Sequence, residues 1–389
     1  MLRLRLKREE RSSGLAPPSV ASGAEVEIAN VYDDPLLEVV RLLREAANIE
    51  HALMVQYLYA AFSVKDKYDA LIGIDLFPTS HTLIGVAIQE MQHLAKVNAL
   101  LVDLKANPNL DRQDFPIRSD IYPFDLELEP LTLESCAKYV TAEAPLDALD
   151  PAGAGDQAER DFREAVSQKV GLNRVNHIGS LYGTVIARLR EAVEASPAIL
   201  NDSDRWLDEL EKIRGQGEED HFLFFRSVFE GTHPALGGPA VWRDPSSDDY
   251  PSRPLPRNPT AYEGSDRSIT DALARRLAVL ANLHYWLVLG LLHQGHASSD
   301  SNLIGRAVSH MTGCLYPLGR MLADRGFGLP FDALALNFGP GMDRVATLGW
   351  LRRLVLEVQG HEADLSGDLG SNYKKSPAKI TLQILGGIS

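Results

Sequence analysis

Glu90 and His93 sit three residues apart inside 84–101, a run that otherwise reads as a buried helix. Residues at i and i+3 share a helix face, so both side chains would point into an apolar core, where an unpartnered carboxylate or imidazole is costly. Leu83, Val86, Ala87, Leu94 and Val97 fall on that same face. A second Glu-x-x-His, Glu218 with His221, lies far downstream, and Phe222 and Phe225 just after it direct His221 towards a core. A chain carrying two such steps is constrained to a helical fold in which acids and imidazoles from different helices meet.

Two Glu-x-x-His helices, joined by one glutamate from each of two further helices, make the ligand set of a di-iron carboxylate bundle. The first extra glutamate is present. The spacing predicts a helix over Pro35–Ser63, with Glu50 in the middle of the apolar stripe Leu43, Ala46, Ala47, Leu53, Met54 and Tyr57. His51 points about 100° away from it and reads as a surface or outer-layer residue. Glu50 precedes Glu90 by 40 residues, and 40 residues before Glu218 stands Ile178. No carboxylate lies within a turn of that position. His177, Ser180 and Thr184 form a polar stripe there, with Gly183 beside it. Three readings stay open: His177 replaces the absent ligand, water or substrate fills the position beside Ser180, or only one metal binds tightly.

The rest of the chain supports an all-α fold built on a four-helix bundle with one long crossover. Residues 34–232 form the bundle: helix two over 81–105, a crossover over 106–155 with a short helix over 133–142, helix three over 177–195, and a fourth helix from Trp206. Gly215 and Gly217 interrupt this last helix beside its histidine, where they let it widen or approach a neighbour. Residues 233–265, rich in Pro and Gly, read as a linker, and 266–365 as a further helical region. Its His284, His293, His296 and His310 read as ordinary helix or interface histidines, because no carboxylate joins them at ligand spacing. The termini, 1–33 and 366–389, each carry a period-two alternation (Leu2, Leu4, Leu6; Ile380, Leu382, Ile384) that predicts a short strand.

A net charge of -14 excludes a broad nucleic-acid surface. The two cysteines, Cys136 and Cys314, lie in apolar sequence and give neither a disulfide framework nor a thiolate metal site. They read as reduced core residues of a cytoplasmic protein. The basic N-terminus lacks the apolar stretch of a secretory signal, and no run suits a membrane span.

Five segments also carry a family resemblance: residues 49–63, the Gln89–His93 motif Gln-Glu-Met-Gln-His, residues 122–130, residues 178–182, and the 216–222 motif Gln-Gly-Glu-Glu-Asp-His-Phe. A weaker match covers 307–320. The chain resembles the ferritin-like domains related to the iminophenyl-pyruvate dimer synthases of indolocarbazole and violacein biosynthesis. Relatives usually offer a glutamate where this chain has Ser180, which agrees with the gap found by spacing.

The expectation is therefore a non-haem iron redox enzyme of specialised metabolism. Glu50, Glu90, His93, Glu218 and His221 would hold one or two iron ions, with His177 as the candidate for the remaining position. The resemblance implies dioxygen and a small, amino-acid-derived aromatic substrate, with Tyr57, Tyr182 and Ser180 lining its pocket; a homo-oligomer is left open. The rival is a non-catalytic metal-binding or partner-binding module. Iron storage fits poorly, since a cage subunit is compact and this chain continues for about 150 residues after its fourth helix.

Overall fold

The computed structural model describes residues 28–73, 81–118, 121–145, 148–149, 155–170, 178–333 and 343–387. The predicted N-terminal strand and His177 lie outside them.

The fold is assembled around α1 (Pro35–Ser63), whose start is set by Asp34: its side chain accepts from the Leu37 amide at 3.0 Å, with Pro35 in the first helical turn. Helix α1 is buried on more than one face, with Leu42, Leu43, Tyr57, Tyr59 and Phe62 all inside. It is a central helix and not an amphipathic surface one. Against it pack α3 (Leu83–Asp103), capped by Thr82, and α6 (Ile178–Ala195), with the short α2 (Asp69–Ile72) between α1 and α3.

The crossover holds two helices. Helix α4 (Leu133–Glu143) starts with a reciprocal cap between Thr132 and Ser135, and α5 (Gln157–Val170) follows. The fourth bundle helix is divided as its glycines suggested: α7 (Ser203–Gln216), a π-helical turn over Gly217–His221, then α8 (Phe222–Phe229), which packs on α4.

Residues 233–265 are not a loose linker. Trp242, Tyr250, Leu255 and Ala261 are buried, the Tyr59 hydroxyl donates to the Pro256 carbonyl, and the Asn258 side chain accepts from the Leu128 amide at 2.7 Å. The strand-poor, proline-rich composition makes this segment irregular, yet its apolar residues strap it to the bundle.

The C-terminal region comprises α9 (Ala272–Ser298), α10 (Ser301–His310), a second π-helical turn (Met311–Leu315), α11 (Tyr316–Asp324), α12 (Arg344–Asp364) and α13 (Ser376–Gly387). The predicted C-terminal strand is replaced by α13. Pro377, Ala378, Thr381 and Leu385 are its buried residues, at helical spacing, whereas Ile380 is exposed; packing against α10 and α12 overrides the period-two pattern. By length and composition α9 could cross a membrane, but 78% of its most apolar window is buried within the fold, the signature of a core helix.

This region is seated directly on the bundle. Gly319 of α11 lies so close to Phe62 of α1 that a Cβ there would stand 2.5 Å from the ring. Gly319→Ala is therefore expected to destabilise the protein by about 1–3 kcal/mol through overpacking. Urea denaturation followed by circular dichroism checks this, and an unchanged midpoint would show that the seat is loose.

Candidate metal centre

Five buried side chains from four segments converge in the bundle: Glu50 of α1, Glu90 and His93 of α3, Glu143 of α4, and His221 of the first π-helical turn. They form two donor groups that share Glu90. In the first, His93 Nδ1 lies 3.5 Å from Glu50 Oε2 and 3.5 Å from Glu90 Oε2. In the second, His221 Nδ1 lies 2.8 Å from Glu90 Oε1 and 3.6 Å from Glu143 Oε2. Each oxygen of Glu90 thus faces a different imidazole, and the two rings stand 5.7 Å apart.

The outer atoms of these donors are tied down. His93 Nε2 is 2.9 Å from Gln216 Oε1, and His221 Nε2 is 2.9 Å from Gln89 Oε1. The arrangement is reciprocal. The residue beside Glu90 holds the distant histidine, and the residue just before the π turn holds the near one. With an amide oxygen as partner, each Nε2 carries the proton and each Nδ1 turns its lone pair inward. The terminal carboxylates are held likewise: Tyr182 donates to Glu50 Oε1 at 2.5 Å and Tyr57 donates to Glu143 Oε1, leaving the Oε2 atoms directed at the centre. Tyr57 and Tyr182 are thereby orienting groups of the carboxylates, a more specific placement than the pocket lining expected of them.

The donor set fits cations. Glu50 Oε2, Glu90 Oε1 and His221 Nδ1 are fully buried yet have no hydrogen-bond partner among the described residues, although other donors crowd around them. Glu90 Oε1 and His221 Nδ1 are 2.8 Å apart but misaligned for a hydrogen bond. Atoms so arranged point at a shared position between them. Without an ion, protons must offset the buried charge. Burial, reinforced by the Glu90 charge, pushes Glu50 up to about 8. Burial also opposes ionisation of Glu90, but the hydrogen bond with Glu50 and the charges of His221 and His93 hold it well below the usual carboxylate range. Against burial, the Glu90 charge raises His221 to about 9 and His93 well above the ordinary imidazole range.

Sequence reasoning looked for the absent carboxylate near Ile178, but the structure supplies it from Glu143, in the crossover. Its signal was present: Glu143 continues the stripe Cys136, Tyr139 and Val140 at i, i+3, i+4 and i+7, all buried. The neighbouring element also shows why glycine stands at 217, since a Cβ there would lie 3.1 Å from Glu143 Oε2. Glu218, by contrast, is half-buried on the π turn and belongs to neither donor group. The widened turn shifts it away from the i, i+3 relation that a regular helix would give it with His221. Ser180 is buried with its hydroxyl unpartnered among the described residues, and two residues from Tyr182 it faces about 200° round α6. Tyr122, in the crossover, brings a second buried hydroxyl without a partner among the described residues, pushed up by burial and by the charges of Glu143, Glu50 and Glu90.

Residues 43–222 match the ferritin-like family. The chain carries a ferritin-like domain. It is also 28% identical, over 352 residues, to dichlorochromopyrrolate synthase of Lentzea aerocolonigenes. That alignment covers 73% of this chain and 34% of the synthase, so the chain spans about a third of that relative's length. No solved structure matches. The ferritin-like match ends at Phe222, one residue past His221, and contains all five converging side chains.

Two substitutions separate ligand from orienting group. Glu143→Ala is expected to lower the bound metal by one equivalent, measured by elemental analysis after loading with ferrous iron. Gln216→Leu removes no donor and is expected to weaken metal binding by about 10–100-fold at unchanged stoichiometry. Full retention of metal in Glu143→Ala would remove that residue from the donor set.

Proposed function

We propose that this protein is a non-haem iron redox enzyme whose ferritin-like domain holds a dinuclear carboxylate centre and acts with dioxygen on a small, amino-acid-derived aromatic metabolite. The observation that carries the reading is Glu90, whose two oxygens face separate His-and-carboxylate groups. A carboxylate in that position serves two cations at once. Glu50 and His93 would complete one coordination group, Glu143 and His221 the other.

When bound, iron in such a site supplies electrons to dioxygen and leaves coordination positions where oxygen or substrate can enter. The protein's part is to fix and insulate the centre. Gln89 and Gln216 hold both imidazoles in the tautomer that presents Nδ1. Tyr57 and Tyr182 keep the terminal carboxylates from rotating. Burial of all five donors excludes bulk water, so reactive species formed there are shielded from side reactions. The Tyr122 hydroxyl, without a partner among the described residues, is available to hydrogen-bond a substrate or a proton in transit. The likeness to a synthase named for dichlorochromopyrrolate supports a small-molecule role in specialised metabolism over iron storage.

The test is oxygen uptake by the metal-free protein after anaerobic loading with ferrous iron. The expected result is iron-dependent consumption in the wild type that falls at least tenfold in Glu90→Ala, with two anomalous peaks about 3.5–4 Å apart in crystals of the loaded protein. Stoichiometric metal without oxygen uptake would favour a non-catalytic metal-binding module, and absence of both metal and oxygen uptake would sink the enzyme reading and favour a partner-binding one.

A further inference from the structure

Outside the ferritin-like domain, a second set of potential ligands converges where none was expected. His284 of α9, His310 at the end of α10 and Cys314 of the second π-helical turn are all fully buried, and their donor atoms lie within 4.8 Å of one another. The two Nδ1 atoms are 2.9 Å apart. None of these residues belongs to the bundle centre, and no carboxylate is needed to complete the group.

The surroundings orient these donors as the glutamines do in the bundle. Tyr373 donates to Glu362 Oε1 at 2.7 Å, so its oxygen accepts from His284 Nε2 at 2.6 Å. That fixes the proton of His284 on Nε2 and its lone pair on Nδ1. His310 Nε2 is 3.0 Å from Thr381 Oγ1. If Thr381 accepts there, both Nδ1 lone pairs converge and only a cation can lie between them. If Thr381 donates, His310 Nδ1 donates to His284 Nδ1, and the group is a metal-free hydrogen-bonded chain.

Two features favour the cation. His310 and Cys314 stand at i and i+4, but a π-helical turn separates them, a deformation frequent at functional sites. The same deformation carries His221 into the bundle centre. The Cys314 thiol also stands within 4.8 Å of both imidazole donors, beside Tyr373 and in the field of Glu362; its 3.3 Å hydrogen bond to the Lys374 carbonyl is one that a metal ion would replace by taking Sγ as thiolate and releasing the proton to solvent.

We infer that His284, His310 and Cys314 form a second metal site, selective for a thiophilic divalent cation such as zinc, that ties α9 and α10 to the C-terminal segment bearing Tyr373 and Thr381. Two imidazoles and a thiolate suit zinc and exclude calcium or magnesium. The site is closed off from solvent, so its role is to hold structure and not to turn over substrate.

The full-length chain expressed with cobalt in the medium tests this, because cobalt bound to a thiolate gives a charge-transfer absorption band. The expected result is a band equivalent to one cobalt per chain, retained in Glu90→Ala and Cys136→Ser, and lost in Cys314→Ser. Tyr373→Phe, which keeps all three donors, is expected to weaken binding by about 10–100-fold. Should Cys314→Ser fail to fold, the band in Cys136→Ser alone decides, since Cys314 is then the one remaining thiol. Absence of the band in the wild type, or its survival in folded Cys314→Ser, would overturn the inference.

Discussion

Burying three carboxylates and two imidazoles at one point is the interaction on which the rest of the structure depends. Taking one ionised carboxylate out of water without compensation costs far more than the roughly 5–15 kcal/mol by which a typical domain is stable. Glu90 lies at the focus, since each of its oxygens meets a different histidine. The imidazoles supply opposite charge, and Gln89, Gln216, Tyr57 and Tyr182 supply fixed hydrogen bonds. The four segments that deliver these groups must therefore stay in register with one another, and α1, packed by neighbours on several faces, is the element that keeps them so.

The outer hydrogen bonds show how that register is protected. Gln89 and Gln216 cross-connect α3 with the fourth bundle helix, each holding the imidazole that belongs to the other's element. Tyr57 and Tyr182 connect α1 with α4 and α6 with α1 in the same manner. A displacement of one helix would break an orienting bond and misdirect a donor together. The π turn at Gly217–His221 adds the final adjustment, placing His221 inward while Gly217 leaves room for Glu143.

The C-terminal helices repeat this logic with softer donors. A buried histidine pair, a cysteine on a π turn, and hydroxyls that fix the outer nitrogens occur there as an independent group. The sequence reading passed over it because it searched for carboxylates near the histidines. His310 and Cys314, at i and i+4, carried the signal, but His284 joins them from another helix and could not be paired with them in one dimension.

Hydrophobic periodicity alone located α1, α3, α6 and the divided fourth helix, and marked Glu50, Glu90, His93 and His221 as polar residues on core faces, because a helix repeats every 3.6 residues whatever surrounds it. The Glu-x-x-His steps were legible for the same reason. What only the tertiary structure decided is which remote residue completes each group: Glu143 from the crossover where a carboxylate near Ile178 was sought, α13 in place of a strand, a packed strap in place of a linker. Those outcomes depend on which surfaces meet in space, on a π turn that alters the local helical phase, and on contacts between segments a hundred or more residues apart, none of which local spacing encodes.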